Sequence, residues 1–274
     1  MLTDIRKVDG GMTNDSYSFL HQGKKYLLRL PGKGSEYLVN RWQEKEVYEA
    51  LKGKNITDEL YYFDAVSGVK ISVFIEGVHN CDVKNAEEVA RCMRHLRKFH
   101  NLRLQVNHGF DIYERIAAYK KHCRGLERMI PDYEHVYKNM MRLKRKLMES
   151  PKEHCLCHVD PVADNFLIKE KQVYLVDWEY AAMSDPHMDI AMFCIYSELK
   201  KADADRTIDA YFAENVCVEV IRRKIYAYMA LGAFLWVLWA TIRIGVGDRF
   251  EGYRSTQLAL AREFYGYAVE GCEK

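Results

Sequence analysis

A chain of 274 residues, with 41 Lys and Arg against 39 Asp and Glu, carries a formal net charge of +2 and is 49% hydrophobic. That length suits one large domain or two modest lobes around a sizeable core. The balance of charge argues against a nucleic-acid binder, because no strongly basic face stands out. The densest basic run, residues 138–146, is spaced with Met140, Met141, Leu143 and Leu147 and reads as the solvated face of an amphipathic helix. The N-terminus lacks a charged-then-apolar leader pattern. The longest apolar run, residues 228–242, falls short of the ~20 residues of a membrane span, and the cysteines form no disulfide-like framework. These features predict a cytoplasmic protein without a membrane span.

In chain order, residues 5–31 read as antiparallel strands. Gly10-Gly11-Met12-Thr13-Asn14-Asp15 is a turn between two runs, Tyr17, Phe19 and Leu20 are β-formers, and Gln22-Gly23-Lys24 turns into residues 25–30. A Gly-rich turn between strands can lay backbone N–H groups against phosphates, although most Gly-Gly turns are only hairpins. Residues 40–44 open an amphipathic helix with Val47, Tyr48 and Leu51 on its apolar face. Two further strands, residues 61–64 and 70–75, flank a Ser67-Gly68 turn. The β-rich composition stops near Gly77, which divides the chain into 1–77 and 78–274. Beyond it the periodicity predicts helices over residues 86–100, 112–123 and 133–149, and Pro151 interrupts the pattern.

The chemistry concentrates between His158 and Glu179, H-V-D-P-V-A-D-N-F-L-I-K-E-K-Q-V-Y-L-V-D-W-E. Residues 166–168 and 173–176 have the length of buried strands, and Lys169-Glu170-Lys171-Gln172 reads as a hairpin tip. A hairpin brings Asp177 back beside Asp160 and Asn165. Two carboxylates and a carboxamide make a hard-oxygen site suited to Mg²⁺, with one carboxylate free to accept a proton from a hydroxyl nucleophile. Loop Asp and Asn by themselves usually do no more than cap turns; H-x-D before and strand-D-W-E after favour chemistry. Cys155-Leu156-Cys157-His158 has no second ligand pair at zinc spacing and reads as buried free thiols.

H-x-D-x4-N followed by a strand and Asp resembles the catalytic and metal loops of the aminoglycoside phosphotransferase and choline kinase group. G-G-x-T-N in the first turn, Leu27-Leu28-Arg29-Leu30, the hinge-like Phe74-Ile75-Glu76-Gly77, Leu96-Arg97-Lys98-Phe99-His100 and Asp185-Pro186-His187-Met188-Asp189-Ile190-Ala191 are similar to motifs of the same group. The resemblance implies an α+β, protein-kinase-like two-lobe fold, with a small antiparallel β N-lobe carrying one helix and a larger, mainly α-helical C-lobe. It implies ATP and Mg²⁺ as cofactors. Gly11, Thr13 and Asn14 would cover the nucleotide, Arg29 would hold its phosphates and pair with Glu44, and Phe74 and Glu76 would stand at the hinge. Apart from the flanking motifs, Arg29 and Glu44 read as an exposed ion pair worth under ~1 kcal/mol. Asp160 would be the base, His158 would brace the loop, and Asn165 and Asp177 would bind metal. Asp189 would cap the next helix and brace the catalytic loop, and His100 is read as structural.

Ala233-Phe234-Leu235-Trp236-Val237-Leu238-Trp239-Ala240 places two indoles three residues apart, on one helix face. Paired tryptophans on an apolar helix are usually core. They can also wall a box for a quaternary ammonium, worth about 2 kcal/mol when desolvated. W-x-x-W resembles the segment lining the choline pocket in choline kinases, with Tyr180 and either Phe250 or Tyr253 as further aromatics. Choline kinases also place an acid after the D-I/L motif. The corresponding position here is near Ile195 or Tyr196, and the nearest acid is Glu198. The chain is therefore similar to the bacterial LicA-type branch of the choline/ethanolamine kinase family, which implies ATP-dependent phosphorylation of a small-molecule substrate, the choline hydroxyl. Ethanolamine, an aminoglycoside or another amino alcohol is the alternative acceptor, though an aminoglycoside site is expected to show several acids in the C-terminal helices. A nucleotide-binding regulator without chemistry is the other alternative, and the joint presence of Asp160, Asn165 and Asp177 argues against it.

Overall fold

The computed structural model describes residues 2–8, 14–32, 39–123, 125–151, 153–213 and 217–270. The N-terminal part is a five-stranded antiparallel sheet made of β1 (Leu2–Val8), β2 (Asn14–His21), β3 (Lys24–Pro31), β4 (Leu60–Phe63) and β5 (Lys70–Val73), in the order β1-β2-β3-β5-β4. Gln22 and Gly23 both take positive φ, +49° and +76°, as a tight two-residue β2–β3 turn requires. One helix, α1 (Arg41–Leu51), crosses this sheet. Asn40 starts it by accepting the N–H groups of Trp42 and Gln43. Glu44, Val47, Tyr48 and Leu51, spaced by three and four, form its buried stripe.

β6 (His79–Asn80) already pairs with a strand of the C-terminal part. That part is mainly helical: α2 (Ala86–Asn101), α3 (Ile112–His122), α4 (Leu126–Met129), α5 (Tyr133–Glu149), α6 (Pro186–Tyr196), α7 (Lys201–Phe212), α8 (Glu219–Gly245) and α9 (Glu251–Val269). Between α5 and α6 run β7 (Cys155–Cys157), the hairpin β8 (Phe166–Lys169) and β9 (Gln172–Leu175), and β10 (Ala182–Ser184). β10 pairs with β7, and β6, β8 and β9 form a separate small sheet. The architecture is α+β.

Three sequence expectations change. The hairpin tip is tighter than four residues, because Lys169 pairs with Gln172 and leaves Glu170 and Lys171 as the turn. The cap of α6 is Asp185, which accepts from the His187 N–H, so Asp189 lies inside the first turn instead. The apolar run of residues 228–242 belongs to a helix of 27 residues, long and apolar enough by length and composition to cross a membrane. Seventy-eight per cent of its most apolar window is buried inside the fold. The apolar stretch continues back from Tyr228 through Ala227, Tyr226 and Ile225, and the helix runs on through Lys224, whose ammonium pairs with Asp185. Gly232 lets α8 approach α6 closely: a Cβ there would stand 2.8 Å from Met192 Sδ and 2.9 Å from Ile195 Cδ1. That approach brings the next turn of α8, with Trp236, against the end of α6.

The ligand atoms of His100, Cys155 and Cys157 lie within 4.8 Å of one another. Both ring nitrogens of His100 are already engaged, one by Tyr211 at 2.9 Å and one by Asp189 at 3.0 Å. The two sulfurs are buried free thiols.

Candidate active site

β7 leads directly into His158, Val159 and Asp160. Val159 takes φ +70°, a conformation that a β-branched residue adopts only when its surroundings impose it. The surroundings do so here. The buried Asp189 carboxylate accepts the N–H groups of His158 at 2.7 Å and Val159 at 2.8 Å, and meets His100 Nε2 at 3.0 Å. His158 is fully buried, and burial lowers its pKa, leaving the ring neutral. Its Nε2 lies 2.9 Å from the Val176 carbonyl oxygen, which can only accept, so that nitrogen carries the proton. His158 therefore ties the loop before Asp160 to the strand end before Asp177.

A 3-10 turn, Ala163–Asn165, closes the mouth of the hairpin. The Val176 N–H donates to the Asn165 carbonyl at 2.9 Å, and Asn165 Nδ2 donates to the Asp160 carbonyl at 2.9 Å. This places Asp160, Asn165 and Asp177 side by side. The amide nitrogen of Asn165 is spent on the loop, which leaves its oxygen as a donor toward a cation. Asp177 itself has φ +69°.

The carboxylates differ in charge state. Burial pushes Asp160 up to about 7; the Tyr196 hydroxyl pulls the other way, and the charges of Asp177, Glu179 and Asp189 add to the rise. Burial also works against Asp177, but the Arg29 guanidinium overrides it and holds that carboxyl low. Arg29 grips Asp177 through both nitrogens, with Nη2 at 3.0 Å from Oδ2. Glu179 is raised by burial and by neighbouring Asp177, and accepts from Asn14 at 3.2 Å and Arg41 at 3.1 Å.

The expected Arg29–Glu44 pair is replaced by another arrangement. Glu44 is 1% exposed and meets Lys70 at 2.7 Å and Arg41 at 2.6 Å, while Arg29 serves Asp177. Lys70 lies on β5, the strand next to Arg29, and takes the carboxylate that α1 presents. Glu44 is no exposed ion pair. Of the residues expected to cover the nucleotide, Gly11 and Thr13 lie outside the described residues, and Asn14 begins β2 within bonding distance of Glu179. Phe74 and Glu76 both turn to Lys25, whose ammonium is 4.4 Å from the Phe74 ring centre and 3.6 Å from Glu76.

On the other side of Asp160 is a cavity walled by Tyr119, Tyr180, Tyr196, Trp236 and Trp239. Trp236 stands 5.2 Å from Tyr196 and 5.4 Å from Trp239, ring centre to ring centre. Phe250 and Tyr253 back Trp239 from outside, at 4.9 and 6.4 Å. The Tyr196 hydroxyl faces the Asp160 carboxyl, and Trp236 Nε1 is buried without a hydrogen-bond partner among the described residues. Glu198 is exposed and does not line the cavity, where Asp160 is the single acid among the described residues. Arg115 is exposed at the cavity and lies 5.6 Å from the Phe110 ring centre.

Lys70, Arg41, Glu179, Tyr119 and Tyr196 join the site without having been singled out by sequence. Glu179 closes the D-W-E triplet and Tyr196 occupies the position where an acid was sought, so both were within reach of the motifs. Lys70, Arg41 and Tyr119 carry no motif.

A buried carboxylate beside an aromatic cavity, under a sheet that supplies cations, accords with what the comparisons show: the chain is a phosphotransferase acting on an alcohol, built on the protein-kinase-like fold. The family described as Choline/ethanolamine kinase matches residues 5–207, and the chain belongs to that family. Choline kinase LicA from Streptococcus pneumoniae has a similar solved structure, with TM-score 0.81 and 27% identity, covering 97% of this chain and 94% of that one. A structure of LicA in complex with AMP aligns at TM-score 0.79 and 27% identity over 97% of this chain and 92% of that one. Protein LicA of Haemophilus influenzae is 24% identical over 270 residues, 92% of this chain and 77% of its own length. The family match ends before α8, so Trp236 and Trp239 lie beyond it.

Proposed function

We propose that the enzyme transfers the terminal phosphoryl group of ATP to the hydroxyl of choline. The observation that carries this reading is the composition of the cavity beside Asp160, four or more π faces and a single acid. A quaternary ammonium has no N–H to satisfy and gains from π faces, whereas a primary ammonium brings three donors that need acceptors. An aminoglycoside brings several ammonium groups, and a cavity with a single acid does not neutralise them. The likeness to Streptococcus pneumoniae choline kinase LicA supports the same reading.

In this mechanism Asp160 takes the proton from the choline hydroxyl and aims the oxygen at the phosphorus. His158 and Asp189 fix the loop that presents it, and the aromatic walls set how deep the ammonium sits. Asn165 and Asp177 offer the hard oxygens that suit Mg²⁺, which would neutralise phosphate charge as the bond to the leaving oxygen lengthens. Arg29, released from Asp177, steadies the phosphates. The sheet lobe covering the nucleotide spans residues 1–77, and residues 78–274 form the lobe that holds the acceptor.

The test is a panel of choline, ethanolamine and kanamycin with Mg-ATP, followed by phosphorus NMR. Phosphocholine should form fastest. Faster turnover of ethanolamine or kanamycin would reject choline as the acceptor.

A further inference from the structure

The sheet sets two cations side by side. Arg29 on β3 and Lys70 on β5 are register partners, so their side chains leave the same face of the sheet. Like charges directly opposite one another are unfavourable, and each has its own carboxylate. The two pairs differ in access. Arg29 and Asp177 are each 19% exposed, whereas the Lys70 and Glu44 side chains are 6% and 1% exposed. Lys70 Nζ also donates to the Tyr48 hydroxyl at 3.0 Å and lies over the Tyr48 and Phe63 rings at 4.5 and 5.8 Å. From Glu44 the chain of contacts continues through Arg41 to Glu179, at 3.1 Å, and to Asn14, at 3.3 Å.

We propose that Lys70 is a positioning residue for the nucleotide phosphates: it is the fixed partner of Glu44, which leaves Arg29 free to exchange Asp177 for the phosphates of ATP. In protein kinases the third-strand cation makes the helix-glutamate pair itself. Here that duty has moved one strand across. Glu44 is sealed from solvent, and separating it from Lys70 would strand a buried charge. Asp177 lies open to the site. Once its charge is given to a metal ion, Arg29 stands without an anion of its own, and a polyphosphate is an anion it can take while Lys70 keeps Glu44. Lys70 meanwhile keeps α1 in place, and through Arg41 and Glu179 it keeps the start of β2 beside the metal strand. The inference rests on the phosphotransferase reading and is indifferent to the acceptor.

Nucleotide binding measured by calorimetry with Mg-ATP, in the absence of any acceptor, is the test. Lys70→Met keeps the apolar stem and removes the charge; at least a tenfold weaker Kd for ATP is expected, with the acceptor KM at saturating ATP unchanged within twofold. Lys70→Arg should restore ATP affinity to within threefold of the parent. Glu44→Gln with Lys70→Met leaves no buried ion unpaired, so it keeps the measurement possible if the single variant fails to fold, and it too should bind ATP at least tenfold more weakly. A folded single or double variant with ATP affinity within twofold of the parent overturns the proposal, as does an acceptor KM that rises as much as the ATP Kd.

Discussion

At the scale of single residues the site is organised by unequal carboxylates. The proposed base must be ionised to act, and burial chiefly pushes Asp160 up to about 7. kcat/KM should therefore fall about tenfold per pH unit below about 7 and level off above it, which a pH–rate profile reads directly. The same shift acts on stability with a definite sign. A carboxyl whose folded pKa lies above its unfolded value favours the folded state most at low pH, and that contribution is lost as pH rises from the ordinary carboxylate range through about 7. Asp160→Asn should raise Tm at pH 8, leave it nearly unchanged at pH 4, and cut turnover by roughly 10²–10⁴-fold. An Asn variant less stable than the parent at pH 8 would contradict the burial argument. Trp236→Ala should raise the KM for choline by up to roughly 30-fold, the equivalent of about 2 kcal/mol of cation–π contact, with the KM for ATP unchanged. Equal rises in both would make Trp236 a packing residue. The tryptophan pair was legible because its two members are close in sequence. Tyr119 and Tyr196 were not legible as walls, because α3 and α6 deliver them from distant parts of the chain.

At the scale of elements, caps and turns were written locally, and the loop conformation was not. Asn40, Asn85, Asp111 and Asp185 each start a helix by accepting its first N–H groups, a signal confined to a few residues. The role of Asp189 depends on His158 and Val159, in the loop before Asp160 some 30 positions earlier, whose N–H groups it accepts. Asp189→Ala leaves those two buried donors unpaired at about 1–3 kcal/mol each, and it frees Val159 to relax from φ +70°. Urea unfolding should show the lost stability, and kcat should fall more than either KM rises. A stable variant with unchanged kcat would mean that the catalytic loop holds its shape without Asp189. The exchange of partners between Arg29 and Lys70 is also an element-scale result. Sequence placed a cation on β3 and an acid on α1, but strand register decided which cation stood nearer that acid.

At the scale of the molecule, residues 177–179, just past β9, are one place where the N-terminal part meets the helical part; Glu46 with Asn107 and His108, and the Leu175 N–H with the Ile56 carbonyl, are others. Arg29 holds Asp177, and Arg41 and Asn14 hold Glu179, with Trp178 buried between them. A ligand that bridges the two parts should therefore stabilise the whole fold, by ~2.7 kcal/mol at a hundredfold excess over Kd. Mg-ATP should raise Tm, and chelating the metal with EDTA should remove most of the increase, because Asp177 then keeps Arg29 and the triphosphate has neither cation. An equal rise with and without metal would argue that Asn165 and Asp177 hold no ion.

The sequence alone determined the class of chemistry, because Asp160, Asn165 and Asp177 lie within one hairpin whose geometry follows from strand length and a polar tip. It also determined α1, α2, α3 and α5, whose apolar residues recur three or four apart, but it placed the cap of α6 at Asp189 and not at Asp185. Tertiary structure decided what those local signals leave open. Lys70 became the partner of Glu44 through strand register, Tyr196 came to face the base through the packing of α6, and a helix apolar enough for a membrane became the core through what surrounds it. Each depends on contacts between residues far apart in the chain, where charge, burial and packing are set by neighbours that no local pattern names.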